Sequence, residues 1–176
     1  SCGYNNYGQL GLGDTTDRDV FTQVINDVKQ VECGNNFVFI IKNDDSLWIS
    51  GVKDYRDSLP PSKNNLLSDF IKIQTDVKEI AVFDENIMIL KNDSSLFCMG
   101  NLPKEIKSNS MKFQYVSNPI FIDSGVKKIS VGNKCFIYVK EDGSTYYFGK
   151  LSSSSIGMSI EPKKIPYKSI DISTDR

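Results

Sequence analysis

Apolar and polar residues alternate through VKQVEC at residues 28–33, where Val31 and Cys33 are separated by Glu32 and preceded by Gln30. A period of two marks a half-buried strand. The next run, Phe37 to Ile41, is apolar at every position, as in a strand packed on both faces. Asn43-Asp44-Asp45 then reads as a tight turn, and Leu47 to Gly51 as a further strand. The same order returns twice. Residues 28–51, 77–100 and 126–149 align without a gap, and successive copies begin 49 residues apart. Each opens with Val-Lys and closes with Gly51, Gly100 or Gly149. Lys42, Lys91 and Lys140 coincide, as do Asp44, Asp93 and Asp142, and Ser46, Ser95 and Ser144. In the third copy the turn is Asp142-Gly143, a strong two-residue hairpin signal.

A fourth element precedes each copy. Phe21 and Val24, Phe70 and Ile73, and Pro119 and Ile122 fall at matching offsets. Residues 65–74 also fit a helix, with Leu66, Phe70 and Ile73 on one face, but the repeat register favours a strand. Each unit therefore holds about four strands. Four-stranded units of 40–50 residues predict an all-β fold, a β-propeller, because no blade buries both of its faces alone. The expected organisation is one partial propeller domain over residues 1–176, with units at 3–51, 52–100, 101–149 and an incomplete 150–176.

The stretch GYNNYGQLGLG at residues 3–13 raises a different chemistry, since glycine-rich turns cradle phosphates. A phosphate site needs a strand before such a turn and a helix after it. Asp14-Thr15-Thr16-Asp17-Arg18-Asp19 follows instead, a polar loop, and no Gly-Lys-Ser/Thr occurs. The glycines are read as architecture, with Leu10 and Leu12 turned inward and Gln9 bonded to the loop backbone.

That stretch resembles the signature of the regulator of chromosome condensation repeat, loosely Gly-x-Asn-x-x-Gly-Gln-Leu-Gly-x-Gly. Gly3, Asn5, Gly8, Gln9, Leu10, Gly11 and Gly13 carry the match. Later parts of the family pattern are similar to residues 28–34, ending at Gly34, to 126–132, ending at Gly132, and to 142–149 with Asp142, Gly143 and Gly149. The signature is worn after Gly51 and after Gly100, and Ser154-Ser155-Ile156-Gly157-Met158 is a remnant of it. Where the family usually carries His, this chain has Asn36, Glu85 and Lys134. Pro119 keeps the family proline; Phe21 and Phe70 do not. The resemblance implies a seven-bladed propeller, of which about three and a half blades are present. Ser169-Ile170-Asp171-Ile172-Ser173 reads as the start of a further repeat. Such a segment leaves open edges, so the remaining blades are expected in the parent chain or in a second copy.

Composition adds little. Charged residues make up 24% and hydrophobic residues 39% of 176, with a net charge of -1. No apolar run is long enough for a helical membrane span, and no signal peptide is recognisable. Residues 1–100 carry a net -6 and residues 101–176 a net +5. This fits two solvated surfaces or a basic patch for a partner, and no Lys/Arg run is dense enough to predict nucleic-acid binding. Cys2, Cys33, Cys98 and Cys135 match no zinc spacing, and with no histidine a Ser-His or Cys-His dyad is excluded within these residues. Reduced thiols in an intracellular protein of the cytoplasm or nucleus are expected. Asp44, Asp93 and Asp142 read as turn residues. Asp14, Asp17 and Asp19 lack the spacing of a calcium loop. Trp48, Phe97 and Tyr146 share one repeat position and read as core. A single Trp cannot form the tryptophan cluster of the plant photoreceptor with this fold.

No catalytic residue, cofactor, metal or small-molecule substrate is expected. The resemblance implies a protein-interaction platform or, alternatively, a guanine nucleotide exchange factor for a small Ran-like GTPase. Partner contacts are expected in 52–76, 101–125 and 150–168, the most divergent text. Ser152 to Ser155 read as a loop rather than a cluster of phosphorylation sites.

Overall fold

A computed structural model describes residues 1–52, 66–107, 110–150 and 157–168. Among these residues there is no helix. Twelve strands form three four-stranded antiparallel sheets, each in simple sequence order. The first holds β1 (Val28–Cys33), β2 (Phe37–Lys42), β3 (Leu47–Val52) and β4 (Leu66–Gln74). The second holds β5 (Val77–Phe83), β6 (Asn86–Lys91), β7 (Leu96–Lys107) and β8 (Ser110–Asp123). The third holds β9 (Val126–Val131), β10 (Cys135–Lys140), β11 (Ser144–Lys150) and β12 (Met158–Lys168). These are propeller blades.

Each sequence copy supplies three strands. The fourth comes from the text that follows the copy and pairs antiparallel with the third, Ile49 with Ile71 and Cys98 with Ile120. Sequence copies and blades are therefore out of phase by one strand. Leu66–Gln74 is a strand, not a helix. Phe21 and Val24, matched in sequence to β4 and β8, lie outside any named strand. A strand needs a partner along its length, and there only Ser1 to Gly3 bond to the segment, at Thr22 and Arg18.

The apolar middle strands are buried as their composition demands. Phe39, Ile41, Ile87, Ile89, Phe136 and Tyr138 are all removed from water. The chain divides into two compact units, Ser1–Lys78 and Glu79–Arg176. In the second, the β9 face (Val126, Ile129, Val131) shares one core with Met88 and Leu90 of β6 and Leu96 and Cys98 of β7. Phe136 and Phe148 stack within that core at 4.6 Å.

Candidate functional site

The glycine-rich loop folds around Asn5, which is fully buried. The Asn5 amide nitrogen Nδ2 donates to the Asp14 carbonyl at 3.0 Å and to its carboxylate at 3.2 Å. Asn5 Oδ1 accepts from the Leu10 N–H at 2.9 Å, and the Asn5 N–H donates to Asp17 Oδ1 at 2.7 Å. A short side chain carrying both donor and acceptor is required at this place. Arg18 donates to Asp14 at 2.6 Å. That bond, then the Thr16 N–H, holds the Asp14 carboxyl below its usual range. Gln9 Oε1 accepts from the Tyr7 N–H at 3.0 Å, and Leu10 is buried while Leu12 is half-buried.

The loop lies against β4. The Gly13 N–H donates to the Ser68 carbonyl at 2.9 Å, and Leu12 bridges to Asp69. The Ser50 hydroxyl donates to the Gln9 carbonyl at 3.0 Å. A Cβ at Gly8 would come within 2.7 Å of the Ser68 Cα, and one at Gly11 within 2.4 Å of the Phe70 ring. Close approach of loop to strand is what these two glycines permit. No helix follows, so no ring of free helical N–H groups faces the loop.

Gly51, Gly100 and Gly149 end the inner part of the third strands at φ +108°, +102° and +94°. A Cβ there would fall within 2.2 Å of the carbonyl oxygen of Asn36, 1.9 Å of that of Glu85 and 2.2 Å of that of Lys134. Gly34 and Gly132 follow β1 and β9, and their N–H groups donate to the carbonyls of Phe37 at 3.0 Å and Cys135 at 2.8 Å.

The repeated Asp and Ser build the β2–β3, β6–β7 and β10–β11 turns. Asp93 Oδ1 accepts from the Ser95 N–H at 2.9 Å and the Ser95 hydroxyl at 2.5 Å. Asp44 does the same with Ser46, while Asp142 accepts from the Ser144 N–H at Oδ1 and from its hydroxyl at Oδ2. The serine hydroxyl, then the serine N–H, lowers the Asp44 and Asp93 carboxyls. Gly143 takes positive φ in the third of these turns. The aromatic row differs from expectation: Trp48, Phe97 and Tyr146 are half-buried. Lys42 lies 5.6 Å over Trp48 and Lys140 5.7 Å over Tyr146. In both places the lysine ammonium stands over the ring face, and that of Lys140 also donates to Asp123.

The described parts of the divergent segments, where partner contacts were expected, are mostly strand. Residues 101–107 and 110–123 continue β7 and β8 as a long hairpin, paired from Asn101–Tyr115 out to Lys107–Ser110. β12 runs beside β7. Lys104, Lys112, Lys163 and Lys164 are exposed on these strands, as are Ile106 and Ile160. Lys112 and Glu105 approach to 4.0 Å. Residues 53–65 and 151–156, with the serine tract, and 169–176, with the start of a further repeat, lie outside the described residues.

A family model, the regulator of chromosome condensation (RCC1) repeat, matches residues 1–41. Most of the chain superposes on propellers of that kind. Human WBSCR16 covers 92% of it at 19% identity with a TM-score of 0.71. Yeast RCC1 (Prp20), solved bound to Kap60, covers 94% at 17% identity and 0.66. Residues 1–41 match the RCC1 repeat, and the fold is that of an RCC1-type propeller. A Prp20p structure from Saccharomyces cerevisiae, described with its binding to Gsp1p and histones, covers 81% at 17% identity and 0.61. At these identities the likeness is one of fold. Among curated proteins, the mouse X-linked retinitis pigmentosa GTPase regulator is 41% identical over 56 residues, 29% of this chain and 6% of that protein. The chain spans 46%, 44% and 39% of the three solved relatives.

Within this RCC1-type segment, Asn5, Gly8, Gln9, Leu10, Gly11 and Gly13 come together in one loop, with Gly3 at its start. Gly34, Gly51, Gly100, Gly132, Asp142, Gly143 and Gly149 are spread over strand ends and turns. Two polar groups escaped sequence reading. Asn86 is buried, donates to the Asn133 carbonyl at 3.1 Å and accepts from the Asn101 N–H at 3.0 Å. Its signal was a polar residue where the other copies have Phe37 and Cys135. Asp123 accepts from the buried Tyr138 hydroxyl at 2.7 Å and from Lys140 at 2.9 Å. Burial raises the Asp123 carboxyl, but these bonds outweigh it and the net shift is downward. Burial, then Asp123, pushes the Tyr138 hydroxyl up. Both are cross-links of the blades.

All four cysteines are free, Cys2 and Cys33 exposed and Cys98 and Cys135 buried. Burial pushes the Cys135 thiol up to about 12, which silences it as a nucleophile. Among the described residues no three acidic or thiol groups gather as a metal site, and no helix is long and apolar enough to cross a membrane.

Proposed function

We propose that this chain is part of a non-catalytic protein-interaction platform, and that the long β7–β8 hairpin with β12 is its contact surface. One observation carries the reading. β7 and β8 are twelve and fourteen residues long and stay paired past Gly100 out to Lys107–Ser110. The added length presents Lys104, Ile106 and Lys112 to solvent. A sheet that only had to pack its neighbour would gain nothing from this extension. Exposed lysines beside exposed aliphatic groups suit a protein surface of opposite charge. The glycine-rich signature, from Gly3 to Gly13 with Asn5 and Gln9, acts as scaffold in this reading and binds no ligand. Residues 1–176 act within one propeller domain, in the cytoplasm or nucleus.

A photo-crosslinking residue placed at Ile106 of the full-length protein should give discrete protein adducts, and one placed at exposed Lys78 should not. No adduct at Ile106 would remove the hairpin from the reading. The second reading is exchange activity toward a small GTPase, and the structural likeness to Prp20p, described with its Gsp1p binding, supports it. Full-length protein added to a Ran-like GTPase loaded with labelled GDP discriminates the two. Saturable acceleration of release would replace the pure platform with an exchange factor.

A further inference from the structure

We infer that the outer edge of β8, along Ser110 to Gln114, takes up an acidic, extended segment of a partner protein as an added strand. This rests on the reading of the β7–β8 hairpin as a contact surface, and it names the chemistry of what is contacted.

The three outer strands differ in what becomes of their edges. β4, β8 and β12 each close one side of a four-stranded sheet. An outer edge offers N–H and carbonyl groups to any passing strand, and proteins blunt it with proline or cover it with a loop. The edge of β4 is covered. The Gly13 N–H donates to the Ser68 carbonyl at 2.9 Å, and Leu12 bridges antiparallel to Asp69. The chain thus adds a short bridge to its own sheet edge there. β12 holds Pro162 and Pro166 among its eleven residues, and neither has an N–H to give. In β8 the sole proline is Pro119, and Ser110 to Asn118 contain neither proline nor glycine. β12 runs beside β7. Among the described residues no strand or bridge joins Ser110 to Gln114 from the side away from β7.

The hairpin also fixes the chemistry of its occupant. Residues opposite each other on paired strands share a face. Phe113 stands opposite Pro103, and Met111 opposite Ile106, so one face is apolar. It is only partly buried, and Ile106 is 39% exposed. Lys112 lies between Met111 and Phe113 and so belongs to the other face. It is exposed, as are Lys104 on β7 and Lys163 and Lys164 on β12. The Glu105 carboxylate is 4.0 Å from Lys112, too far for a hydrogen bond, so the ammonium keeps its capacity for a further carboxylate. A strand laid along β8 sets alternate residues beside these two faces. Carboxylates on one side and aliphatic groups on the other match them. A second copy of β8 would instead bring one lysine-bearing strand to another, and like charges oppose such pairing.

The test uses full-length protein and a fluorescent peptide in which Glu and Val alternate, with binding read by anisotropy at neutral pH. Three peptides serve as comparisons. One alternates Lys and Val, and two are Glu-Val peptides N-methylated at every Val or at every Glu. In an added strand every second residue turns its N–H toward β8. One pattern of methylation should therefore weaken binding at least tenfold, and the other should leave it within about twofold. The Glu-Val peptide should bind at least tenfold more tightly than the Lys-Val peptide, and Lys112→Glu should narrow that ratio at least threefold. Equal effects of the two methylation patterns, a preference for the Lys-Val peptide, or no binding below about 1 mM would each overturn the inference. A doubled mass, with peptide binding gained only on dilution, would assign the edge to a second copy and overturn it as well. Crosslinked adducts at Ile106 that persist alongside any of these results would leave the contact surface standing and remove only the added strand.

Discussion

At the residue scale, the side-chain hydrogen bonds of this chain differ in reach. Asp44, Asp93 and Asp142 bond to the serine two residues on, so the pattern Asp-x-Ser needs no knowledge of the fold. Asn5 has partners five, nine and twelve residues away. The glycines around it revealed a tight loop but not its centre. Substitution of Asn5 by Ala leaves the Leu10 N–H unpaired in a buried place, and should cost on the order of 2 kcal/mol in denaturant unfolding. Asn86 and Asp123 are opposite cases, because each bonds across to a residue that sequence distance hides. Asp123 supports a pH prediction. Its folded-state carboxyl is lowered by Lys140 and Tyr138. Its contribution is present above the ordinary carboxyl value, about pH 4, and is lost as pH falls through the folded-state value. Asp123→Asn should therefore lower the melting temperature at pH 7, and the gap from wild type should narrow as the pH falls below the ordinary carboxyl range. A gap unchanged across that range would deny the ion pair its role.

At the element scale, strands were readable wherever one face or both were buried, since burial writes the period into the sequence. The three copies therefore marked β1 to β3, β5 to β7 and β9 to β11. The fourth strands were visible only by register, because outer strands carry mixed text. Ser110–Asp123 alternates exposed and half-buried residues along much of its length. Its assignment to the preceding copy was hidden, since adjacency in sequence does not reveal which edge a strand joins. The length of the β7–β8 hairpin was also hidden, because its polar alternation reads as a divergent loop. Beyond Leu102, which is buried, the hairpin contributes little to the core. Replacing residues 104–112 by Asn-Gly, a favoured two-residue turn that keeps Pro103 opposite Phe113, should shorten it and leave stability within about 1 kcal/mol. With the photo-crosslinking residue placed at exposed Ile160 of β12 instead, the same change should weaken the adducts proposed for this surface. A large loss of stability would mean that the extension is structural.

At the scale of the whole molecule, stability in a repeat protein is set by each unit and its immediate neighbours. The same substitution at equivalent positions then has different consequences, and the difference locates an interface. Ile129 and Val31 stand 98 residues apart, two repeats, at one strand position. Ile129 is 6% exposed, in a core with Met88 and Leu90. Ile129→Asp places a carboxylate in apolar surroundings and should cost on the order of 4 kcal/mol or prevent folding. Val31→Asp adds a charge to a surface already in water and should cost less than about 0.5 kcal/mol in the 176-residue chain. Denaturant unfolding of both variants reads this directly. A Val31→Asp chain as damaged as Ile129→Asp would show that the β1 face is packed rather than open to water.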